Sequence, residues 1–223
     1  MQKPDGPSSY KGFIFDLDGT LLDTLPDLVY VTNLALAKEG FPARTEQEIL
    51  TFIGNGAFSL VLQATPDYAT EEQSRRAYQA FRNLYGICGM YRTRQFNDMQ
   101  QTLESLKAKG CLLGIMSNKF EQGVKDIEQR FFPQLFTTTH GETEAIPRKP
   151  DPTGLLLCAQ EMNLEPNQCI YIGDSKTDMT AAHHAGMLAV GVTWGYQSLD
   201  TLNEGSPDVL IENPSELLCF AKE

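Results

Sequence analysis

The stretch Gly12-Phe-Ile-Phe-Asp-Leu-Asp-Gly-Thr20 joins a short apolar run to two acidic residues and a turn signal. An uncharged run such as Gly12 to Phe15 is typical of a strand that is buried on both faces. Because side chains alternate along a strand, Asp16 and Asp18 point to the same side. Two neighbouring carboxylates repel each other unless a positive charge lies between them. The stretch predicts either a cation site at the end of a buried strand or an Asp-Gly turn with two solvated acids.

Similar short runs, rich in β-branched or aromatic residues, recur along the chain and alternate with helical stretches. They span Cys111 to Met116, Leu135 to Thr139, Cys169 to Ile172, Leu188 to Val192 and Asp208 to Ile211. Strands that are apolar on both faces and separated by helices are typical of a parallel sheet covered on both sides. The pattern predicts an α/β fold with a doubly wound, Rossmann-like parallel sheet.

About a hundred residues separate the first two of these runs, and a structureless connection of that length is rare. Helix signals fill the interval. Thr24 is expected to cap the first helix in a capping box with Asp27, and Gly40 is expected to end it. Further helices are predicted over Thr45 to Phe52, Ala57 to Gln63 and Thr70 to Ile87. We therefore expect an inserted, small all-helical domain over residues 25–94, with residues 1–24 and 95–223 forming the α/β domain.

Polar side chains follow other predicted strands or lie between them. Ser117 follows the second strand, where we expect the next helix to begin, and Asp174 and Asp178 follow the fourth. Lys149 lies in a proline-stiffened segment between strands. Each has a structural alternative: a helix N-cap for Ser117, a surface lysine for Lys149 and a Ser175–Asp178 capping box. The order of these residues is more specific than any one of them, because ligands bind beyond the carboxyl ends of parallel strands.

These motifs resemble those of the haloacid dehalogenase-like hydrolase superfamily. The matching segments are Asp16-Leu-Asp-Gly-Thr20, Ser117-Asn118, Lys149-Pro150 and Gly173-Asp-Ser-Lys-Thr-Asp178. The helical insertion lies where that superfamily carries its small cap domain. Phe52-Ile-Gly-Asn-Gly-Ala57 and Val192-Thr-Trp-Gly-Tyr196 are similar to the phosphoglycolate phosphatase branch. Two features depart from the pattern: Phe96-Asn-Asp-Met99 lacks the Pro-Gly often found there, and Ser117 replaces the more common Thr.

The resemblance implies a magnesium-dependent phosphatase that works through a covalent aspartyl-phosphate. Asp16 would be the nucleophile and Asp18 the general acid and base. Ser117 would bind the phosphoryl oxygens, and Lys149 would balance their charge. Mg²⁺ would be held by a carboxylate oxygen of Asp16, the backbone carbonyl of Asp18 and the carboxylate of Asp174, with Asp178 ligating through water or orienting its neighbours.

The resemblance favours 2-phosphoglycolate, a small phosphorylated metabolite, as the substrate. Substrate contacts are expected from Thr20 and Asn118 in the core and from Gly54, Asn55 and Gly56 in the cap. Trp194 and Tyr196 are expected to pack under the site.

Several alternatives remain open within the superfamily. A phosphosugar mutase of the β-phosphoglucomutase type would rephosphorylate Asp16 from a bisphosphate, and a pyrophosphatase or nucleotidase would hydrolyse another phosphate bond. A phospho-receiver signalling domain is the non-enzyme alternative. It would use an acceptor Asp, a hydroxyl residue, a Lys and Mg²⁺, but would carry no helical cap and no acid two residues after the acceptor.

The 223 residues carry a formal net charge of -11, from 29 acidic and 18 basic side chains. This charge opposes binding to nucleic acid or to an anionic membrane surface. Met1 to Lys11 resembles a polar tail and no secretory signal, and no apolar stretch approaches the length of a membrane span. The five scattered cysteines indicate reduced thiols, mostly buried. We expect a cytoplasmic protein that is a monomer or a homodimer.

Overall fold

The computed structural model describes residues Ser9 to Lys222, and the start of the predicted polar tail lies outside the described residues. The described chain forms two compact units. One comprises the residues up to Leu22 together with those from Gln95 onward, and the other is Asp23–Arg94. Within the described range, no helix has the length and apolar character needed to cross a membrane. All five cysteines are free thiols; Cys111, Cys158 and Cys169 are buried, whereas Cys219 is exposed.

The described strands form one large sheet and one small one. In chain order they are β1 (Gly12–Phe15), β2 (Leu22–Asp23), β3 (Arg94–Gln95), β4 (Leu112–Phe120), β5 (Thr138–Glu142), β6 (Cys169–Gly173), β7 (Leu188–Val192) and β8 (Val209–Ile211). The large sheet has the order β5-β4-β1-β6-β7-β8, and its described strand pairs are all parallel. β2 pairs with β3 where the chain passes between the two units. The predicted doubly wound parallel sheet is confirmed.

The helices divide between the two units. The unit Asp23–Arg94 contains α1 (Leu25–Lys38), α2 (Glu46–Phe52), α3 (Gly56–Ala64) and α4 (Glu71–Cys88). The sheet unit contains α5 (Met99–Ala108), α6 (Glu121–Phe131), α7 (Thr153–Glu161), α8 (Lys176–Ala185) and α9 (Leu199–Asn203). Two short 3₁₀ turns, Pro166–Gln168 and Pro214–Cys219, also belong to the sheet unit. The insertion between β2 and β3 is therefore all-helical, as the sequence pattern predicts.

The large sheet buries apolar side chains on both faces, as its strand sequences predict. On one face, Ile14 and Tyr171 belong to a core that includes Leu155 of α7. Phe15 is buried on the opposite face, where its ring meets Phe136 edge-on. The central strands are thereby fixed from both sides, and their carboxyl ends form a rigid edge.

The helical unit has a core of its own, and α1 ends as predicted. Leu36 and Ile49 are fully buried there. The backbone N–H of Gly40 donates to Ala37 (3.1 Å) and that of Phe41 donates to Leu36 (3.0 Å). These are the two hydrogen bonds of a Schellman motif, and Gly40 supplies the positive φ of 72° that the motif requires.

The start of α1 differs from the prediction. Thr24 occupies the N-cap position but makes no side-chain capping hydrogen bond. The Asp23 carboxylate accepts from the first N–H of the helix instead (3.3 Å). Asp27 is fully buried and accepts from the backbone N–H groups of Arg92 (2.8 Å) and Thr93 (2.7 Å). The predicted Thr24–Asp27 capping box is wrong because the returning chain occupies the Asp27 carboxylate.

Two strand ends also differ from the sequence pattern. β5 begins at Thr138 and not at Leu135, because the apolar residues before it, such as Phe136, pack under the sheet. β4 continues past Met116 to Phe120. Apolar character alone therefore marks where a chain is buried and not where its strand begins or ends.

Candidate active site

The candidate site lies at the carboxyl edge of the sheet, where the strand order reverses. Asp16 directly follows β1, and its backbone N–H donates to Ile172 in β6 (2.8 Å). Asp174 directly follows β6. β1 and β6 are neighbours, but the chain continues outward from them in opposite directions. Such a reversal leaves a crevice beyond the strand ends, which is where open α/β sheets bind ligands.

Three carboxylates converge in this crevice. Asp16, Asp174 and Asp178 are all buried, and one oxygen of each lies within 4.8 Å of the other two. Buried carboxylates this close repel one another unless a cation is present. Because every donor is an oxygen, the set suits a hard divalent cation such as Mg²⁺. The cluster could therefore hold a metal ion.

Lys149 lies within this cluster and is itself buried. Its Nζ is 2.8 Å from an oxygen of Asp16 and 2.7 Å from an oxygen of Asp178. The same atom donates to the Tyr171 hydroxyl (2.8 Å), which in turn donates to the Met116 carbonyl (2.8 Å). Lys149 is therefore a buried lysine and not a surface one, and these contacts fix the position of its ammonium group.

The backbone of Lys149 is fixed by Asn118. The Lys149 N–H donates to the Asn118 side-chain oxygen (2.7 Å), and the Asn118 side-chain amide donates back to the Lys149 carbonyl (3.3 Å). Asn118 was expected to contact substrate. That contact stays a prediction, and the Asn118 side chain is hydrogen-bonded to the segment that carries the buried lysine.

Burial controls the charges of this cluster. Desolvation, together with the neighbouring Asp178, raises the pKa of Asp16 to about 6 against the opposing effect of Lys149. Desolvation and the carboxylates of Asp178 and Asp16 raise the pKa of Asp174 to about 8. Burial alone would lower the pKa of Lys149, but the two carboxylates outweigh it and raise that pKa. The metal-free cluster therefore resists full ionisation, and a bound cation would favour the ionised carboxylates.

Asp178 has a structural role in addition to its place in the cluster. It accepts from the Ser175 backbone N–H (3.0 Å) and hydroxyl (2.6 Å), and the Ser175 hydroxyl accepts from the Asp178 N–H (3.2 Å). The capping box at the start of α8 is confirmed. The other oxygen of Asp178 accepts from Lys149. Asp178 therefore links the start of α8 to the Lys149 ammonium.

Asp174 is held by two loops. Its carboxylate accepts from the Tyr196 backbone N–H (2.6 Å) and from the Thr20 hydroxyl (3.4 Å). Gly19, with a φ of 85°, approaches so closely that a Cβ there would lie 2.5 Å from the Asp174 carboxylate. Trp194 donates from its indole N–H to the Thr20 carbonyl (3.0 Å), so this tryptophan packs under the site as expected. Thr20 stays a predicted substrate contact, and its fully buried side chain donates to Asp174.

Asp18 faces a second lysine, to which the sequence had assigned no function. Lys119 Nζ lies 2.7 and 3.0 Å from the two Asp18 carboxylate oxygens. Both side chains are largely buried. Lys119 also follows an apolar run that ends at the same sheet edge, and this position in the sequence indicates a residue of the site. Its distance of 101 residues from Asp18 hid the pairing.

Ser117 lies inside β4 and is buried, so the predicted position at a helix start is wrong. The next helix, α6, begins only at Glu121. β4 is longer than expected because it pairs with β5 again at Phe120, after a register shift that follows Met116. The Ser117 hydroxyl accepts from the Lys119 backbone N–H (3.3 Å). The residue nevertheless remains at the carboxyl edge of the sheet.

The three remaining predicted residues belong to the helical unit. Gly54 and Asn55 lie in the turn between α2 and α3, with Asn55 at the N-cap position, and Gly56 is the first residue of α3. Gly54 and Asn55 are exposed. Their exposure is compatible both with an ordinary turn between helices and with contact to a ligand.

Comparison with known proteins identifies one family and one recurring activity. The model of the haloacid dehalogenase-like hydrolase family matches residues 13–192. A phosphoglycolate phosphatase of Haemophilus influenzae (strain 86-028NP) is 35% identical over 221 residues, covering 95% of this chain and 98% of the relative. A phosphoglycolate phosphatase of Mannheimia succiniciproducens is 36% identical over 222 residues, covering 95% and 98%.

Solved structures agree. A crystal structure from Haemophilus somnus 129PT, described as a predicted phosphoglycolate phosphatase, aligns with a TM-score of 0.88 at 32% identity. The alignment covers 96% of this chain and 98% of that one. The similarity thus extends over both the sheet unit and the helical unit.

Proposed function

This chain belongs to the haloacid dehalogenase-like hydrolase family, and from that premise we propose that it hydrolyses a small phosphomonoester, 2-phosphoglycolate, in the presence of Mg²⁺. The observation that carries the proposal is the buried cluster of Asp16, Asp174, Asp178 and Lys149 at the carboxyl edge of the sheet. The relatives described as phosphoglycolate phosphatases supply the choice of ester.

Asp16 is the proposed nucleophile. Lys149 holds one of its oxygens and balances its charge, while the other oxygen attacks phosphorus in line with the leaving oxygen. The bond between phosphorus and the leaving oxygen breaks, and an aspartyl-phosphate forms. Asp18 gives a proton to the leaving oxygen and then takes one from the water that hydrolyses the aspartyl-phosphate.

Mg²⁺ would be held by the carboxylates of Asp16 and Asp174 and by the backbone carbonyl of Asp18, with Asp178 ligating through water or orienting its neighbours. When bound, it supplies positive charge that offsets the crowded carboxylates and the phosphoryl oxygens. The Ser117 hydroxyl binds a phosphoryl oxygen, since its own proton is left to donate when it accepts from Lys119.

We further propose that Asp23–Arg94 is the cap, and that Gly54, Asn55 and Gly56 contact the substrate. The protein would work in the cytoplasm, as a monomer or a homodimer, on a small metabolite and not on nucleic acid. The five free thiols and the net charge of -11 support these assignments.

A phosphate-release assay over a panel of esters tests the function. With Mg²⁺, we expect the highest kcat/KM for 2-phosphoglycolate among carboxylated esters, sugar phosphates, nucleotides and pyrophosphate. Phosphate release that is fastest from another member of the panel would contradict the substrate. Formation of an isomerised sugar phosphate without free phosphate would identify the protein as a mutase and not a hydrolase.

A further inference from the structure

Lys119 places a buried ammonium beside Asp18. Its side chain is only 5% exposed and that of Asp18 is 15% exposed, so the pair is not a surface ion pair. Lysines are seldom this buried unless they are paired with an anion. β4, which carries Lys119, lies next to β1, which leads into Asp18. The ion pair therefore belongs to the same sheet edge as the carboxylate cluster.

The two buried lysines form ion pairs with different aspartates. Lys149 contacts Asp16 and Asp178, the side of the site where the proposed chemistry places the transferred phosphoryl group. Lys119 contacts both oxygens of Asp18, which the proposed chemistry places against the leaving oxygen. Whatever is bonded to that oxygen therefore extends into the surroundings of Lys119.

We propose that Lys119 selects the substrate by binding a carboxylate on the carbon atom that carries the phosphate ester. This inference rests on the proposed function, because it needs the leaving oxygen at Asp18. A carboxylate one carbon away from that oxygen lies close enough for an ammonium at Asp18 to reach it at an ordinary hydrogen-bond distance of about 2.7–3.2 Å. The ammonium is then shared between Asp18 and the substrate.

The carboxylate requirement follows from the cost of burying charge. A leaving group that ends in a hydroxyl offers Lys119 no anion, so it gains less than a carboxylate from the same contact. The substrate class is therefore a phosphomonoester with a carboxylate next to the ester carbon, and neutral alcohol phosphates are discriminated against.

Binding to the Asp16→Asn protein tests the inference without turnover. With Mg²⁺ present, calorimetry compares 2-phosphoglycolate with 2-hydroxyethyl phosphate, which replaces the carboxylate by a hydroxymethyl group. We expect the carboxylated ligand to bind about 10- to 100-fold more tightly, the range of a hydrogen bond to a charged group. Adding Lys119→Met should reduce this preference to within about 3-fold, and Lys119→Arg should retain part of it.

Lys125→Met is the matched control. Lys125 is 53% exposed and paired with Glu121, so its replacement removes the same charge without touching the site. The ligand preference should not change in this variant. A loss of preference in Lys125→Met as well would show that net charge, and not Lys119, sets it.

Two results would overturn the inference. One is equal affinity of the Asp16→Asn protein for both ligands, which needs no Lys119 variant to fold. The other is an equal loss of affinity for both ligands in Lys119→Met. Phosphate release by the wild-type protein separates this inference from the proposed function. Equal kcat/KM for the two esters would overturn only the Lys119 inference, whereas no release from any phosphomonoester would overturn both.

Discussion

Lys149 shows how one residue is fixed for its role. Its Nζ lies 2.7–2.8 Å from Asp16, Asp178 and Tyr171, and it donates hydrogen bonds to Asp178 and Tyr171. Tyr171 is neutral, and its hydroxyl also donates to the Met116 carbonyl. Tyr171 therefore connects the Lys149 ammonium to the backbone of β4 and fixes the position of that ammonium.

Replacing Tyr171 with Phe should lower the free energy of unfolding of the metal-free protein by about 1–3 kcal/mol, because two buried groups lose their partner while the ring is kept. Urea denaturation measures this change. Tyr68→Phe is the control, since Tyr68 is 73% exposed and should show no change. Unaltered stability in Tyr171→Phe would mean that the hydroxyl does not orient Lys149.

The carboxylates predict a pH dependence. The pKa of Asp16 is raised to about 6 and that of Asp174 to about 8, from the ordinary aspartate value of 3.8. In that window the metal-free folded protein binds more protons than the unfolded chain, so these groups make stability fall as pH rises from about 4 to 8. Desolvation is the main cause, with Asp178 adding repulsion and Lys149 opposing it.

Urea denaturation in a chelator should therefore show a smaller free energy of unfolding at pH 8 than at pH 5.5, and Asp174→Asn should reduce this difference.

Mg²⁺ should stabilise the protein more as pH rises, because bound metal requires ionised carboxylates. Calorimetry in buffers of different ionisation enthalpy should detect proton release on Mg²⁺ binding at neutral pH. Proton uptake would contradict the raised pKa values.

At the scale of elements, α5 starts in an unusual conformation. Asp98 precedes the helix with φ 60° and ψ 0°, a left-handed backbone, and its side chain makes no capping hydrogen bond. This conformation accounts for the Gly that the family often carries where this chain has Asp98, because Gly adopts it without a steric cost. The same backbone turn is built here with a less suitable residue.

Asp98→Gly should raise the free energy of unfolding by about 0.5–1 kcal/mol, since the strain relieved exceeds the added freedom of the unfolded chain. Thermal or urea unfolding measures it. Asn97→Gly is the matched control, because Asn97 has no positive φ and should be destabilised by glycine. Destabilisation by Asp98→Gly would show that the Asp98 side chain stabilises the start of α5.

Local patterns predicted most of the elements but not their long-range contacts. β7 has the predicted bounds, and the Ser175–Asp178 cap and the Schellman end at Gly40 follow from residues a few positions apart. The contacts of Asp27 with Thr93 and of Lys119 with Asp18 span 66 and 101 residues. No local periodicity encodes such pairs, so the sequence pattern predicts a cap at Asp27 and no partner for Lys119.

At the scale of the whole molecule, the net charge of -11 and the charge of the site have different meanings. Four of the 29 acidic residues, the aspartates proposed to hold Mg²⁺, belong to the site. Lys149 and Lys119 are both buried beside them. The remaining charge is spread over the chain and repels an approaching anion only at long range.

Raising the ionic strength from about 0.01 M to about 0.15 M at saturating Mg²⁺ should leave kcat/KM unchanged or increase it, because salt screens this long-range repulsion. Steady-state phosphate release measures the effect. A potassium salt of a weakly binding anion is the control for competition at the site. A steep fall in kcat/KM would show that a basic entrance attracts the substrate and outweighs the net charge.

The central claim is that Asp16 becomes phosphorylated during turnover. Rapid quenching of the wild-type protein with substrate labelled in the phosphoryl group, followed by mass spectrometry, should place the label on the peptide that contains Asp16. Asp16→Asn should show neither label nor phosphate release, and Asp18→Asn should accumulate label from an ester with a good leaving group, because water is no longer activated. Label on another residue, or wild-type phosphate release by Asp16→Asn, would contradict the account.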